Sequence, residues 1–227
     1  MKTEKRFAFF PLCLLSVLFL ACTNEGYDVG NGTYSNVHAD FSMLSTDAKG
    51  RVASFVTDGE KNYNLNPPTA FFKAKSDTVY RALVYYEKTN DGYAKVMGLR
   101  AVGVARPFSM DKNPVKKQDP VDLISAWISS NGAYINFVLG LKKGVGDDED
   151  NNSHVIGFGI SAPKTVGSPS KREFTFTLFH DQNGVPESYT STEYISVPLK
   201  KSFVSGDVLK VIVQTYGGKV TKSFVVP

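Results

Sequence analysis

Metal or proton chemistry in this chain would have to begin with its three histidines, His38, His154 and His180. A zinc site needs three or four His, Cys or carboxylate ligands converging in space, often at short spacings. Only His180 has such a neighbour, Asp181. Adjacent residues of a strand point to opposite faces, so that pair cannot grip one ion while the strand continues. His154 and His180 could still face each other across a sandwich as a two-histidine site. The densest oxygen cluster is Asp147-Asp148-Glu149-Asp150-Asn151-Asn152. Calcium takes about 6–8 oxygen ligands, but an EF-hand loop wants acids at alternate positions, a central glycine and a closing Glu. Consecutive acids suit a solvated hairpin tip better.

The search for a nucleophile ends quickly. There is no Gly-x-Ser-x-Gly and no His-Glu-x-x-His. Acids distant in sequence can meet in space as a glycosidase-type pair, which keeps a polysaccharide-active hydrolase open as an alternative. No catalytic residue, metal ligand or cofactor is assigned. Among the eleven Tyr, sixteen Phe and one Trp, most fall at inward positions. Tyr85 and Tyr86 are consecutive, so one of them should face outward. With Tyr93 just past Asp91-Gly92, an exposed Tyr85 would make part of a binding face.

The remaining chemistry is lipid attachment. Lys2, Lys5 and Arg6 precede an apolar run from Phe7 to Ala21 that contains Pro11 and is broken only by Ser16. Fifteen residues are too few for a spanning helix, which needs about 20, but they suit a secretory signal of about 7–15 apolar residues behind a basic head. The run ends in Phe19-Leu20-Ala21-Cys22. This resembles a bacterial lipobox, in which the cysteine receives diacylglycerol and becomes the new N-terminus; Phe19 stands where Leu is usual. Residues 1–21 are thus expected to be a lipoprotein signal peptide, with Cys22 the lipid attachment site and Cys13 discarded. The membrane becomes a partner through that anchor. Several acyl chains, at about 0.8 kcal/mol per buried CH₂, would hold firmly. Removing the leader takes away three basic residues and one acid and leaves a net charge of +2. So balanced a charge, without a basic stripe, argues against nucleic acid.

The elements behind the anchor read as strands. Residues 22–33 form a polar, Gly-rich stalk. From Tyr34 the period is two: Val37, Ala39, Phe41 and Met43 on one face, His38, Asp40 and Ser42 on the other. Val52–Thr57 runs into Asp58-Gly59, and Tyr80, Ala82, Val84 and Tyr86 share a face before Asp91-Gly92 turns the chain. Four or five strands suit a small barrel over residues 34–106. Residues 107–121, rich in proline and charge, are expected to link it to a β-sandwich over residues 122–227. There Ile135, Phe137, Leu139 and Leu141, then Ile156, Phe158 and Ile160, then Phe174, Phe176 and Leu178, then Leu209, Val211 and Val213 line strand faces. Asn183-Gly184 and Gly217-Gly218 mark turns, and Leu123–Ser130 fits a short helix or a strand. The fold class expected is all-β.

Taken together, these pieces resemble the NigD-like lipoproteins of Bacteroidetes. The residues that carry the likeness are Cys22 with its stalk, the strand from Tyr34 to Leu44, the hairpin around Asp91-Gly92, the proline-rich linker, and Trp127 leading into Tyr134-Ile135-Asn136-Phe137. His154-Val155-Ile156 and Leu178-Phe179-His180-Asp181 look like the family's two His-containing segments. The resemblance implies an N-terminal OB-type barrel, a C-terminal β-sandwich and, through the family's name, bacteriocin immunity. The expected function is a non-catalytic outer-membrane lipoprotein that binds a protein or glycan. A structural subunit of a surface assembly is an alternative. Thr23-Asn24-Glu25-Gly26 supplies one acid after the cysteine, which leaves surface and periplasmic display equally open.

Overall fold

The structure, a computed structural model, describes residues 36–89, 92–111, 117–144, 153–167, 171–199 and 203–227. The chain divides into Met1–Ser35 and Asn36–Pro227, and every described residue belongs to the second unit. Cys22 with its leader and stalk, Asp91, and the acidic run 147–152 lie outside the described residues.

The chain is all-β. Strands β1 (Val37–Thr46), β2 (Arg51–Thr57), β3 (Asn62–Ala70), β4 (Val79–Lys88) and β5 (Ala94–Ala101) form one antiparallel sheet in the order β3-β2-β1-β4-β5. The sheet curls into a half-barrel. Its outer strands meet where Asn64 bridges Tyr93 and the Asn64 N–H donates to the Gly92 carbonyl at 3.4 Å. The β1–β2 turn is built by Asp47, whose Oδ1 accepts from the amides of Lys49 and Arg51 at 2.9 Å each. Gly50 closes that turn at φ +72°, where a Cβ would sit 2.8 Å from the Ala74 carbonyl oxygen. No other residue type fits there without strain.

The half-barrel interior holds Leu44, Val52, Phe55, Ala82, Val84 and Tyr86. The β4 pattern therefore reads as expected, and β1 divides into the two faces its alternation gave. Leu44 points into the barrel, and Asp40 reaches the same interior to accept a 2.8 Å hydrogen bond from the Tyr86 hydroxyl. Phe41 and Met43 point the other way, against Trp127, Tyr194 and Tyr134 of the second half. Both faces of β1 are covered, so the more apolar face had no obligation to be the inner one.

Two short strands at 103–104 and 108–109 lie beside the second half. Strands β6 (Gly103–Val104) and β7 (Phe108–Ser109) already pair with it, followed by β8 (Asp122–Ile128), β9 (Tyr134–Lys143), β10 (Val155–Ile160), β11 (Lys164–Val166), β12 (Lys171–Asp181), β13 (Tyr189–Pro198), β14 (Val208–Thr215) and β15 (Gly218–Val225). One sheet runs β15-β14-β12-β10-β7, with β11 beside β12, and the other runs β6-β13-β9-β8. The segment Leu123–Ser130 is thus strand over most of its length, not helix. Between the sheets lie Ile135, Phe137, Leu139 and Leu141 from one side and Phe158, Phe176, Leu178, Leu209, Val211 and Val213 from the other. Phe137 and Phe158 stack with centroids 4.6 Å apart. Each such side chain contributes about 1.5–3 kcal/mol on burial, and the described residues contain no cysteine.

Candidate functional site

A groove of about 560 Å³ opens where the end of β5 meets the sandwich. Tyr189, Glu193 and Tyr194 line it from β13, Lys143 and Gly144 from the end of β9, and His154 from the start of β10. Period two puts residues 189, 191, 193 and 195 of β13 on one side, so Glu193 and Tyr189 project together. Tyr189 stands 56% exposed at the rim. Lys143 Nζ donates to Glu193 Oε1, which also accepts from the Ser191 hydroxyl at 3.2 Å. Arg100, on β5, donates to the Thr192 carbonyl and lies over the Tyr194 ring at 4.7 Å. Tyr85 packs behind Tyr194; burial first and the Tyr194 hydroxyl second push its phenol above the ordinary range.

His154, which lines this groove, meets His180. Their rings are nearly coplanar, 10° apart, with His154 Nδ1 2.8 Å from His180 Nε2. They do not face each other across the sandwich, because β10 and β12 are neighbours in one sheet with Ile156 opposite His180. His180 is 1% exposed, and its Nδ1 lies 2.9 Å from the Asp119 carbonyl oxygen. A carbonyl only accepts, so His180 Nδ1 carries hydrogen and its Nε2 accepts. His154 Nδ1 must then be the donor to it. His154 Nε2 is left with a lone pair, buried and without a hydrogen-bond partner. Burial, then His180 and Lys143, hold the His154 ring below the ordinary histidine value, while the Lys142 backbone and Glu193 pull the other way. Two nitrogens joined by a hydrogen bond cannot both face one metal ion. Among the described residues no group of three or more His, Cys, Asp or Glu is placed to hold one.

The groove's two walls are fixed by a polar knot at the seam. Arg81 of β4 donates to both carboxylate oxygens of Asp58, at 2.6 and 2.7 Å, to Asn136 Oδ1 at 3.2 Å and, through Nε, to Ser196 Oγ at 3.1 Å. Asn136 and Ser196 belong to β9 and β13, so one guanidinium ties the half-barrel to the sandwich sheet that forms the groove. The Tyr134 ring lies over it at 4.1 Å.

The model of the NigD-like C-terminal beta sandwich domain matches residues 107–225. The chain belongs to the NigD-like family. No curated sequence is significantly similar to it. Among solved structures it is similar to a NigD-like immunity protein from Bacteroides caccae, at 21% identity and a TM-score of 0.63, covering 84% of this chain and 97% of that one. A protein from Parabacteroides distasonis, provisionally described as toxin-related, matches at 16% identity and TM-score 0.59 over 83% and 92% of the two chains. One from Bacteroides fragilis, provisionally described as a lipoprotein, matches at 11% and 0.53 over 83% and 96%. At these identities the likeness is one of fold.

The structure joins His154 to His180 and leaves His38 apart, its ring 5.5 Å from that of Tyr86. Tyr85 does not form an outward face with Tyr93: the sandwich covers Tyr85, while Tyr93 lies beside β3 on another side of the half-barrel. The side of β4 free of the barrel interior is the seam. Asp181 pairs with Lys117 at 3.3 Å, and the Asn183 amide first, then this ion pair, hold its carboxyl below the ordinary range. Sequence reasoning missed Arg81 and Glu193. A lone arginine inside the apolar strand Val-Tyr-Arg-Ala-Leu-Val was the available signal for the first.

Proposed function

We propose that this chain is an outer-membrane lipoprotein, anchored through Cys22, that acts by binding a protein or glycan in the groove beside Tyr189. The order β3-β2-β1-β4-β5 with a β3–β5 bridge supports reading the half-barrel as OB-type, and membership of the NigD-like family supports the binding role and, with the immunity protein of similar fold, protection against a toxin as its purpose.

One observation carries the reading: the groove presents an exposed tyrosine above polar groups that are already paired with one another, Lys143 with Glu193 and His154 with His180. Aromatic surface over a few fixed polar groups is how a recognition site is made. A lysine partner favours the ionised carboxylate, which suits a fixed acceptor. A photo-crosslinking residue at position 189, introduced in the native cell, should capture one discrete partner or glycan chain, and the same residue at Lys219 on β15 should not. No product at 189 under any growth condition would sink the binding role. Cys22→Ser should abolish fatty-acid labelling and release the protein from membranes; persistence in the membrane would overturn the anchor.

A further inference from the structure

The His154–His180 pair has four ring nitrogens, and their protons can be placed in turn. In the neutral pair, the chain of donors runs from His154 Nδ1 to His180 Nε2 and from His180 Nδ1 to the Asp119 carbonyl. A third proton has one place to go, His154 Nε2, the nitrogen with no partner. The Lys143 ammonium opposes charge on this ring, while the Lys142 backbone and the Glu193 carboxylate favour it. A fourth proton would set N–H against N–H across 2.8 Å, which no hydrogen bond survives.

We propose that this pair is an acid-released latch on the groove. It is closed while the ring-to-ring hydrogen bond stands and opened when acid breaks that bond. The latch rests on the groove being the binding site, and concerns its regulation. His180 stays where it is: its N–H donates to the Lys117 carbonyl, its own carbonyl accepts from the Asp119 amide, and Nδ1 is held by Asp119. The ring that leaves is His154, half-exposed at the mouth of β10, and with it goes one wall of the groove. The charges surrounding the fixed ring do not resist this. Asp119 Oδ2 is taken by the Gln182 amide, Asp181 by Lys117, and Glu187 by the Gln182 side chain. The opening therefore turns on the ring-to-ring bond, with Lys143 and Glu193 acting in opposite senses on the ring that leaves.

The test needs no ligand. Long-range ¹H–¹⁵N spectra of both imidazoles, recorded on the mature lipoprotein in detergent from pH 8 to 4.5, should show two Nδ1–H tautomers at high pH. On acidification His154 Nε2 should respond first, and loss of the ring-to-ring bond should follow. Over the same range, hydrogen-exchange protection corrected for intrinsic rates should fall in residues 153–156 and hold in β14. His154→Phe keeps the ring and removes its protons, and should abolish the change; His154→Asn serves as a second variant if Phe perturbs the strand. An Nε2–H tautomer on either ring would overturn the latch. So would protection at 153–156 that stays constant while the rings titrate, or the same acid response in both variants. If crosslinking at position 189 fails while these signals appear, the binding reading falls and the latch stands.

Discussion

Arg81 and Asp58, both of the half-barrel, form a two-point ion pair at the seam, with the arginine side chain 1% exposed. Withdrawing a guanidinium from water is costly unless its donors are met, and here Nε and both terminal nitrogens have acceptors. The pair is less a source of stability than a fixed address: it dictates which part of the half-barrel lies against β9 and β13.

Removing one partner should therefore be severe. Arg81→Ala leaves the Asp58 carboxylate without its counter-charge, held by the Asn136 amide alone, and should cost about 3–5 kcal/mol, read as the fall in urea unfolding free energy. Adding Asp58→Ala should recover part of that loss. Full additivity of the two substitutions would show that they do not act as a pair.

Gly144 offers a sharper probe of the groove. A Cβ there would sit 2.8 Å from the Pro186 carbonyl oxygen and 2.6 Å from Ser188 Oγ. The 186–188 chain must shift to admit it, so Gly144→Ala should destabilise by about 1–3 kcal/mol and weaken crosslinking at position 189. An unchanged melting temperature would mean that this turn yields freely.

The sandwich core should show the usual cost of a cavity. Phe158→Ala removes the ring stacked on Phe137 and should lower unfolding free energy by about 3–5 kcal/mol. Denaturant titration followed by far-ultraviolet circular dichroism measures it directly.

Acid should act through Asp207 as well. Two hydrogen bonds from Arg172, at 2.9 and 2.5 Å, and one from the Val204 amide hold its carboxyl below the ordinary value. The unfolded chain thus binds this proton at higher pH than the folded one. The stabilisation is whole above the unfolded value of about 3.9 and disappears as pH drops through the lowered folded value. Asp207→Asn should remove that part of the acid dependence, visible as a flatter plot of urea midpoint against pH below 5.

Much of the fold was legible because period two survives wherever one face of a strand is dry. Ile135, Phe137, Leu139 and Leu141 were inward by pattern and are buried, as are Phe174, Phe176 and Leu178. On β1 two cores claim opposite faces, so alternation separates the faces without saying which is the inside. The same cause hid the fate of Tyr85: a residue pointing out of the half-barrel meets the sandwich instead of water. The meeting of His154 with His180 lay beyond periodicity. It depends on the β10–β12 register, which places Ile156 opposite His180 and so carries His154 alongside the ring.

The short run from Gly103 to Ser109 touches both sandwich sheets, β6 lying against β13 and β7 against β10. Each of those strands would otherwise end its sheet with a bare row of amides and carbonyls, the kind of border on which foreign strands grow. One stretch of connecting chain thus shields two borders at once. A fragment cut at Asp122 would lose both guards, and should clump where the whole protein stays dispersed.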